Sequence, residues 1–149
     1  MRQLGLVGVG LLLWAISTLN TMEGISSQRK SLKAILDEKK NHRRVVLLYG
    51  RDINQGRLIS QQQTFREAQQ GLDERDVDVI VVLDFELQEP DRWFLMHNNF
   101  DFSPSDDFAG YLIGKDGTLK KKFKQILSAD ELFRTIDAMP MRKSEMKHE

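Results

Sequence analysis

Residues 31–140 show two kinds of hydrophobic pattern. Short and largely apolar runs at 45–49, 77–83 and 108–113 are typical of strands that are buried on both faces. Elsewhere apolar residues recur every three or four positions, which is the spacing of one helix face. This spacing predicts helices over 31–40 and 57–75, a short helix over 91–97, and a final helix beyond residue 128. The pattern therefore predicts a chain that alternates strands and helices.

The third strand is predicted to continue into a hairpin. The sequence GKDG at 114–117 contains an Asp-Gly pair, which favours the positive φ angles of a tight turn. Over the returning strand, 118–123, Lys120 and Lys122 are predicted to share one face, with Leu119, Lys121 and Phe123 on the other. Lysines of this kind are typical of an edge strand that must not pair with other sheets.

The final helix has both a start signal and a stop signal. Ser128 and Glu131 form an S-x-x-E capping box, in which each side chain accepts a hydrogen bond from the other residue's backbone N–H. Pro140 then ends the helix. The resulting order is β-α-β-α-β-β-α, with one extra helix in front. This order predicts an α/β protein with a thioredoxin-like fold and a central four-stranded mixed sheet.

The beginning of the chain predicts a signal peptide. Arg2 precedes an uncharged apolar run over residues 4–16, a length within the ~7–15 residues of a secretory signal and short of a comfortable membrane span. Small residues at 15 and 17 predict cleavage after Ser17. The alternative is an uncleaved anchor, because Leu19 and Met22 extend the apolar stretch.

The predicted organisation follows from this leader. Residues 1–17 form the signal peptide, residues 18–43 a linker with the short first helix, and residues 44–146 the thioredoxin-like domain. The predicted location is periplasmic or secreted. Contact with a membrane is expected only if the leader is retained.

Composition excludes several classes of function. The 149 residues include no cysteine, so thiol-dependent redox catalysis, disulfides and Cys-ligated zinc are excluded. The 22 basic and 22 acidic residues give no net charge, which argues against general binding to nucleic acid. His97 and the aspartates at 101, 106 and 107 match no metal-binding motif. We expect neither a metal nor a cofactor.

Three short strings resemble one family. They are ERD at 74–76, GKDG at 114–117 and IDAMPMRKSEM at 136–146. They are similar to a peroxiredoxin-like domain family of unknown function, found in exported bacterial proteins and in vertebrate sushi-repeat matrix proteins. The resemblance covers residues 44–146. It implies a thioredoxin-like fold, export and no established catalytic activity, and it brings no active site with it.

The first candidate site is the loop after the first strand. Thioredoxin-like enzymes place a reactive cysteine there, where the next helix N-terminus stabilises a thiolate. Residues 50–57 occupy this position without a sulfur nucleophile. Arg51, Asp52 and Arg57 make it a candidate ligand- or partner-binding site, because a helix N-terminus flanked by arginines favours an anion. The alternative is an ordinary polar loop in which Asp52 pairs with an arginine.

Arg142, in the C-terminal string, is the second candidate. Its spacing from Glu145 predicts a local salt bridge if a helix resumes beyond Pro140. The alternative is that Arg142 contacts a partner. We therefore predict a non-catalytic, exported binding or adaptor module whose partner is an unknown protein or an anionic ligand. The alternative function is a cysteine-independent enzyme acting at the loop after the first strand.

Overall fold

Residues 29–149 are described by a computed structural model of the chain. The predicted signal peptide over 1–17, and residues 18–28 of the predicted linker, lie outside the described residues. The elements below all belong to the unit Ser31–Glu149.

Six helices and four strands make up this part of the chain. One turn of 3₁₀ helix, at Asp84–Glu86, follows the second strand. The helices are α1 (Leu32–Lys39), α2 (Gly56–Glu67), α3 (Gln69–Glu74), α4 (Glu89–His97), α5 (Ala129–Asp137) and α6 (Pro140–Met146). The strands are β1 (Arg44–Gly50), β2 (Val77–Leu83), β3 (Phe108–Ile113) and β4 (Leu119–Phe123). Within residues 29–149, none of the helices has the length and apolarity that crossing a membrane requires.

The strands form one mixed sheet in the order β2-β1-β3-β4. β1 and β2 are parallel, β3 is antiparallel to β1, and β4 is antiparallel to β3. β1, β2 and β4 therefore run in the same direction, so the loops that follow them lie at one end of the sheet. β1 has a strand on each side and every one of its residues is buried, as its apolar run predicts.

Two apolar layers cover the faces of this sheet. Successive side chains of a strand point to opposite faces, so Val46 and Leu48 of β1 belong to one layer and Leu47 and Tyr49 to the other. The first layer contains side chains of α2, α3 and α5, namely Leu58, Phe65, Leu72, Leu132 and Ile136. The second contains side chains of α1, α4 and the 98–107 loop, namely Leu32, Leu95, Phe100 and Phe102. The predicted β-α-β-α-β-β-α order with its extra first helix is confirmed.

β2 differs from its prediction. Its apolar run predicts a strand that is buried on both faces, but six of its seven residues are only partly buried. The reason is its place at one edge of the sheet. Val79 and Val81 pack into one layer and Ile80 and Val82 into the other. An apolar run shows that both faces of a strand are covered, but not whether a neighbouring strand lies beside it.

β4 is the other edge strand of the sheet, as its lysines predict. The predicted grouping of its side chains is wrong, however. Ile113 pairs with Leu119 and Leu112 with Lys121, so Lys120 is an extra residue in a β-bulge. The bulge places Leu119 in the layer that contains α1, whereas Phe123 packs in the opposite layer.

The single helix predicted over 57–75 is divided in two. Ala68 ends α2 and precedes α3 with φ −107° and ψ 22°, outside the helical range. α3 packs closely on α5. The space beside Gly71 is filled by the Phe133 ring, which would lie 2.5 Å from a Cβ atom on that glycine. This contact between distant parts of the chain produces no local sequence signal.

α5 begins directly after Ser128, as predicted, and the predicted break at Pro140 is confirmed. The Ser128 hydroxyl accepts the Glu131 N–H (3.2 Å), but the Glu131 carboxylate binds Lys121 Nζ (2.9 Å), so the reciprocal half of the predicted capping box is wrong. α5 ends before Pro140, and α6 begins at that proline. The first turn of a helix accepts proline because its N–H groups have no partner within the helix.

The contact between Gly110 and Phe123 tests this packing. A Cβ atom on Gly110 would lie 2.1 Å from the Phe123 ring, so Gly110→Ala is expected to lower the free energy of unfolding by about 1–3 kcal/mol. Gly56→Ala is the matched control, because a Cβ there would meet no atom within 4 Å. Urea denaturation measures both variants. Equal stability of the two would contradict the packing of β3 against β4.

Candidate functional site

Arg51 links the loop after β1 to the segment before β3. Its Nε atom lies 2.8 Å from a carboxylate oxygen of Asp107, and its Nη2 atom donates to the carbonyl of Pro104 (3.1 Å). The Arg51 backbone N–H also donates to the carbonyl of Asp107 (2.9 Å). Arg51 and Asp107 are both exposed. Arg51 thus fixes two loops to each other at the carboxyl end of β1.

The loop between Arg51 and α2 satisfies its own backbone groups. The Asp52 carboxylate accepts the Asn54 N–H (2.7 Å), which is the geometry of an Asx turn. The Gln55 side chain accepts the N–H groups of Arg57 (2.7 Å) and Leu58 (3.2 Å) at the start of α2. The Arg57 guanidinium is exposed and makes no ion pair or hydrogen bond within residues 29–149. The sequence-predicted set thus divides into Arg51 and Asp52, which hold the loop, and a free Arg57.

The three loops that follow the parallel strands share another feature. Each of them exposes one large apolar side chain: Ile53 after β1 (68% exposed), Phe85 after β2 (78%) and Ile126 after β4 (48%). The outer two of these strands, β2 and β4, are three strand spacings apart, which is about 14 Å at ~4.8 Å per spacing. We call Ile53, Phe85 and Ile126, together with Arg57, the carboxyl-end surface.

Hydrogen bonds hold the loop that carries Phe85. The Tyr49 hydroxyl donates to the Asp84 carboxylate (2.9 Å), and Arg92 donates to the same oxygen (3.0 Å). These two donors hold the pKa of Asp84 below its ordinary value, so Asp84 is a carboxylate. Burial and the bond to Asp84 raise the pKa of Tyr49 to about 12.

A buried glutamine holds the loop that carries Ile126. Gln61 of α2 is fully buried, and its amide accepts the Leu127 N–H (2.7 Å) and donates to the Leu127 carbonyl (2.9 Å). The residue next to Ile126 is therefore fixed to α2. All three exposed apolar side chains stand beside residues that hydrogen bonds hold in place.

The three family-like strings meet at the opposite end of the sheet. Arg75, from the first string, donates two hydrogen bonds to the Asp137 carboxylate, both of 2.9 Å. Its guanidinium also lies 4.2 Å from the centre of the Phe133 ring. Asp137 belongs to the third string, so this bidentate pair joins α3 to α5.

The same end of the sheet contains a second set of ion pairs. Arg44, the first residue of β1, is 1% exposed, and its two Nη atoms each lie 3.2 Å from an oxygen of Glu145. Lys115, in the hairpin turn, donates to Glu145 (2.7 Å) and to Asp76 (2.8 Å). Residues of all three strings, 74–76, 114–117 and 136–146, thus surround the start of β1. We call Arg44, Asp76, Lys115 and Glu145 the amino-end network.

Arg142 extends this network. It is 6% exposed and lies 3.5 Å from Asp137, 3.5 Å from Glu145 and 3.3 Å from Glu149. The predicted pair with Glu145 is therefore present. Arg142 lies at the end of the sheet opposite to the other three candidate residues, and its role as a binding residue stays a prediction.

Of the amino-end network, the sequence singles out only Glu145, as a partner of Arg142, and does not reveal Arg44, Asp76 or Lys115. Arg44 stands next to two other basic residues at 42 and 43, and this cluster gives no sign that its last member is buried. Asp76, Lys115 and Glu145 stand inside the three strings, so the strings are the one sequence feature that indicates these residues. The partners are separated by 30 to 101 positions along the chain, and one sequence contains no information that pairs them.

Within residues 29–149, no three side chains of histidine, aspartate or glutamate lie close enough to hold a metal ion. The loose set at 97–107 is among the described residues, and there Asp101 and Asp106 form ion pairs with Lys122 and Lys124.

Comparison with solved structures defines the class of fold. The chain is similar to the reduced 2-Cys peroxiredoxin of Plasmodium vivax, with a TM-score of 0.55, 15% identity and coverage of 73% of this chain and 72% of that one. It is also similar to the thioredoxin peroxidase I of Plasmodium yoelii, with a TM-score of 0.52, 16% identity and coverage of 73% of this chain and 79% of that one. The mitochondrial 2-Cys peroxiredoxin of Plasmodium falciparum gives a TM-score of 0.52, 12% identity and coverage of 76% of this chain and 84% of that one. The predicted thioredoxin-like fold is confirmed.

The family is also defined. Residues 35–145 match the family described as Domain of unknown function (DUF4174), and the chain belongs to it. The predicted resemblance to a peroxiredoxin-like domain of unknown function is thus confirmed in its fold and its family class. No curated protein matches the chain.

Arg142 provides a test of the structural role of the C-terminal string. Arg142→Ala is expected to lower the free energy of unfolding by about 1–3 kcal/mol, because a buried guanidinium and three ion pairs are lost. Lys143→Ala, at the next and exposed position of α6, is the matched control and is expected to change little. Thermal and urea denaturation measure both. Full stability of the Arg142 variant would contradict a structural role.

Glu145 makes the stability of the fold dependent on acid pH. Burial alone would raise the pKa of Glu145, but hydrogen bonds from Lys115 and Arg44 outweigh it and hold the pKa below its ordinary value of 4.5. A carboxylate whose pKa is lowered by folding contributes stability above its unfolded pKa and loses it as the pH falls.

The test compares Glu145→Gln with the unsubstituted chain between pH 6 and pH 3. The substitution is expected to lower the free energy of unfolding at pH 6 and to flatten its decline in acid. Glu149→Gln is the control, since the side chain of Glu149 is two-thirds exposed. Parallel pH profiles for the unsubstituted and Glu145→Gln chains would contradict the contribution of Glu145.

Proposed function

We propose that this protein is a non-catalytic binding module that contacts a partner protein through its carboxyl-end surface. The observation that carries the proposal is the set of three exposed apolar residues, one on each loop after β1, β2 and β4. Open α/β sheets bind their ligands at the carboxyl ends of their strands. Ile53, Phe85 and Ile126 stand there, together with Arg57, whose guanidinium has no partner within residues 29–149.

The way these loops are held supports a docking role. Contact residues bind most effectively when their conformation is fixed before the partner arrives, because less conformational entropy is then lost. Arg51 and Gln61 provide such restraint for the loops that follow β1 and β4, and Asp84 provides it for the loop that follows β2. Aromatic, aliphatic and arginine side chains are also the usual anchors of protein interfaces.

Two observations favour binding over catalysis at this end of the sheet. The chain contains no cysteine, so the position of the thioredoxin-type nucleophile has no thiol. Each carboxyl group in residues 29–149 whose pKa clearly departs from its ordinary value is shifted downward, because its hydrogen bonds outweigh the effect of burial: Asp78, Asp84, Asp116, Asp137 and Glu145. A general acid that acts near neutral pH requires the opposite shift.

The proposed place of action is the periplasm or the extracellular space. The leader over residues 1–17 supports export, with its single arginine, its apolar run and its small residues at 15 and 17. The partner is accordingly proposed to be a protein of the same compartment.

Site-specific photocrosslinking in the producing cells tests this proposal. Benzoylphenylalanine replaces Ile53 or Phe85 on the carboxyl-end surface, and Gln70, exposed on α3, in a control chain. We expect the first two positions to give the same discrete protein adduct and the control position to give none.

A second measurement separates binding from damage to the fold. Ile53→Ser, introduced into the chain with the photoreactive residue at position 85, is expected to weaken that adduct while the free energy of unfolding stays unchanged. Adducts of equal strength at positions 53, 85 and 70, or none at any of them, would contradict the proposed surface.

A further inference from the structure

A second surface feature lies along β4, on the face of the sheet that α1 and α4 cover. A groove of about 590 Å³ separates α1 and the end of α4 from β4. Its apolar floor consists of Leu36, Phe94, Phe100, Ile113 and Leu119. The β-bulge creates part of this floor, because it places Leu119 on this face of the sheet. We call this feature the lysine groove.

Lysines form both rims of the lysine groove. Lys33 and Lys40 stand on the side of α1, and Lys120 and Lys122 on the side of β4. The lining residues include five lysines and one acidic residue, Asp37. One of these lysines, Lys121, pairs with Glu131 of α5 (2.9 Å). Opposite charges at an interface favour one partner over another, so the groove favours an anionic occupant.

Among the four rim lysines, Lys40 alone has no ion-pair partner within residues 29–149. Lys33 pairs with Asp37, Lys120 with Asp116, and Lys122 with Asp101. The ammonium group of Lys40 makes no ion pair or hydrogen bond within residues 29–149.

The turn at Gly117 holds the stem of Lys40. The carbon atoms of the Lys40 side chain lie 3.2–3.6 Å from the place that a Cβ on Gly117 would occupy. Gly117 has a φ of +79°, a conformation that glycine adopts without strain. The stem is therefore packed and the charged end is available to a ligand.

The groove continues past Phe100 and Lys122, which also line a second pocket of about 360 Å³. Tyr111 lines that pocket and is 2% exposed. Its hydroxyl has no hydrogen-bond partner in the described part of the chain. A ligand that accepts a hydrogen bond from this hydroxyl would gain a polar contact at this end of the groove.

We infer that the lysine groove binds an extended acidic segment of a partner protein, in which carboxylates alternate with apolar side chains. The carboxylates meet the rim lysines, and the apolar side chains cover the floor. In such a segment, successive side chains point to opposite sides, which suits a groove with charged rims and an apolar floor. A second copy of this β4 would instead place lysines against lysines, which is unfavourable.

This inference goes beyond the proposed function and does not depend on it. The rim residue Lys40 and the turn at Gly117 lie near the start of β1, at the end of the sheet opposite to Ile53. Loss of the adduct at position 53 and loss of binding in the groove are therefore separate results.

Titration of the ¹⁵N-labelled full chain with three synthetic peptides tests the inference. The first peptide has three Glu-Leu repeats, the second three Glu-Ser repeats and the third three Lys-Leu repeats. We expect the Glu-Leu peptide to shift the amide signals of Ile113 and residues 117–123. The Glu-Ser peptide is expected to bind about tenfold more weakly, because it cannot cover the apolar floor, and the Lys-Leu peptide not to bind.

Two charge reversals separate a specific site from general attraction. Lys40→Glu is expected to raise the dissociation constant of the Glu-Leu peptide about tenfold. Lys143→Glu, which makes the same change of charge on α6, is expected to leave it unchanged. Because both lysines are exposed, neither variant is expected to lose its fold.

Three results would overturn the inference. They are no binding of the Glu-Leu peptide, equal weakening by Lys40→Glu and Lys143→Glu, and equal binding of the Glu-Leu and Glu-Ser peptides. A parallel titration with laurate below its micelle concentration identifies a lipid ligand. Shifts in residues 117–123 with laurate, and none with the Glu-Leu peptide, would be an instance of the first result and would assign the groove to a lipid.

Discussion

A buried positive charge at the start of the central strand constrains this fold. Arg44 is 1% exposed because β1 has a strand on each side and an apolar layer on each face. A guanidinium cannot lose its proton there, and an unpaired buried charge costs several kcal/mol. Glu145 therefore has to reach β1 from the far end of the chain, and Lys115 and Asp76 complete its surroundings. The position of α6 follows from this need.

The two ends of the sheet consequently differ in the side chains that they contain. The strings that resemble the family form ion pairs at the amino end, where they join α3, α5, α6 and the hairpin turn to β1. The carboxyl end, where related folds place a reactive thiol, has apolar side chains on loops that hydrogen bonds hold in place. The proposed binding surface thus lies about one strand length from the ion pairs at the amino end, so substitutions at one end can leave the other intact.

The sequence predicts those features of the fold that depend on neighbours along the chain. The apolar run of β1, the Asp-Gly turn at Gly117 and the break at Pro140 are all confirmed. The features that depend on distant contacts are not predictable in this way. The bulge at Lys120, the break at Ala68 and the open edge of β2 each result from packing between separate elements. For the candidate site, the position of the loop at Arg51 follows from the strand order, whereas the pairing of Arg51 with Asp107 and the burial of Arg44 do not.

The most direct test of this account is a double-mutant cycle on the amino-end network. The free energy of unfolding is measured for Lys115→Met, Glu145→Gln, the double variant and the unsubstituted chain. The account predicts a coupling energy of about 1–3 kcal/mol between the two positions, with the photocrosslinked adduct at position 53 retained in every variant that folds. A coupling energy near zero, or loss of the adduct in a folded variant, would contradict the separation of a stabilising end from a binding end.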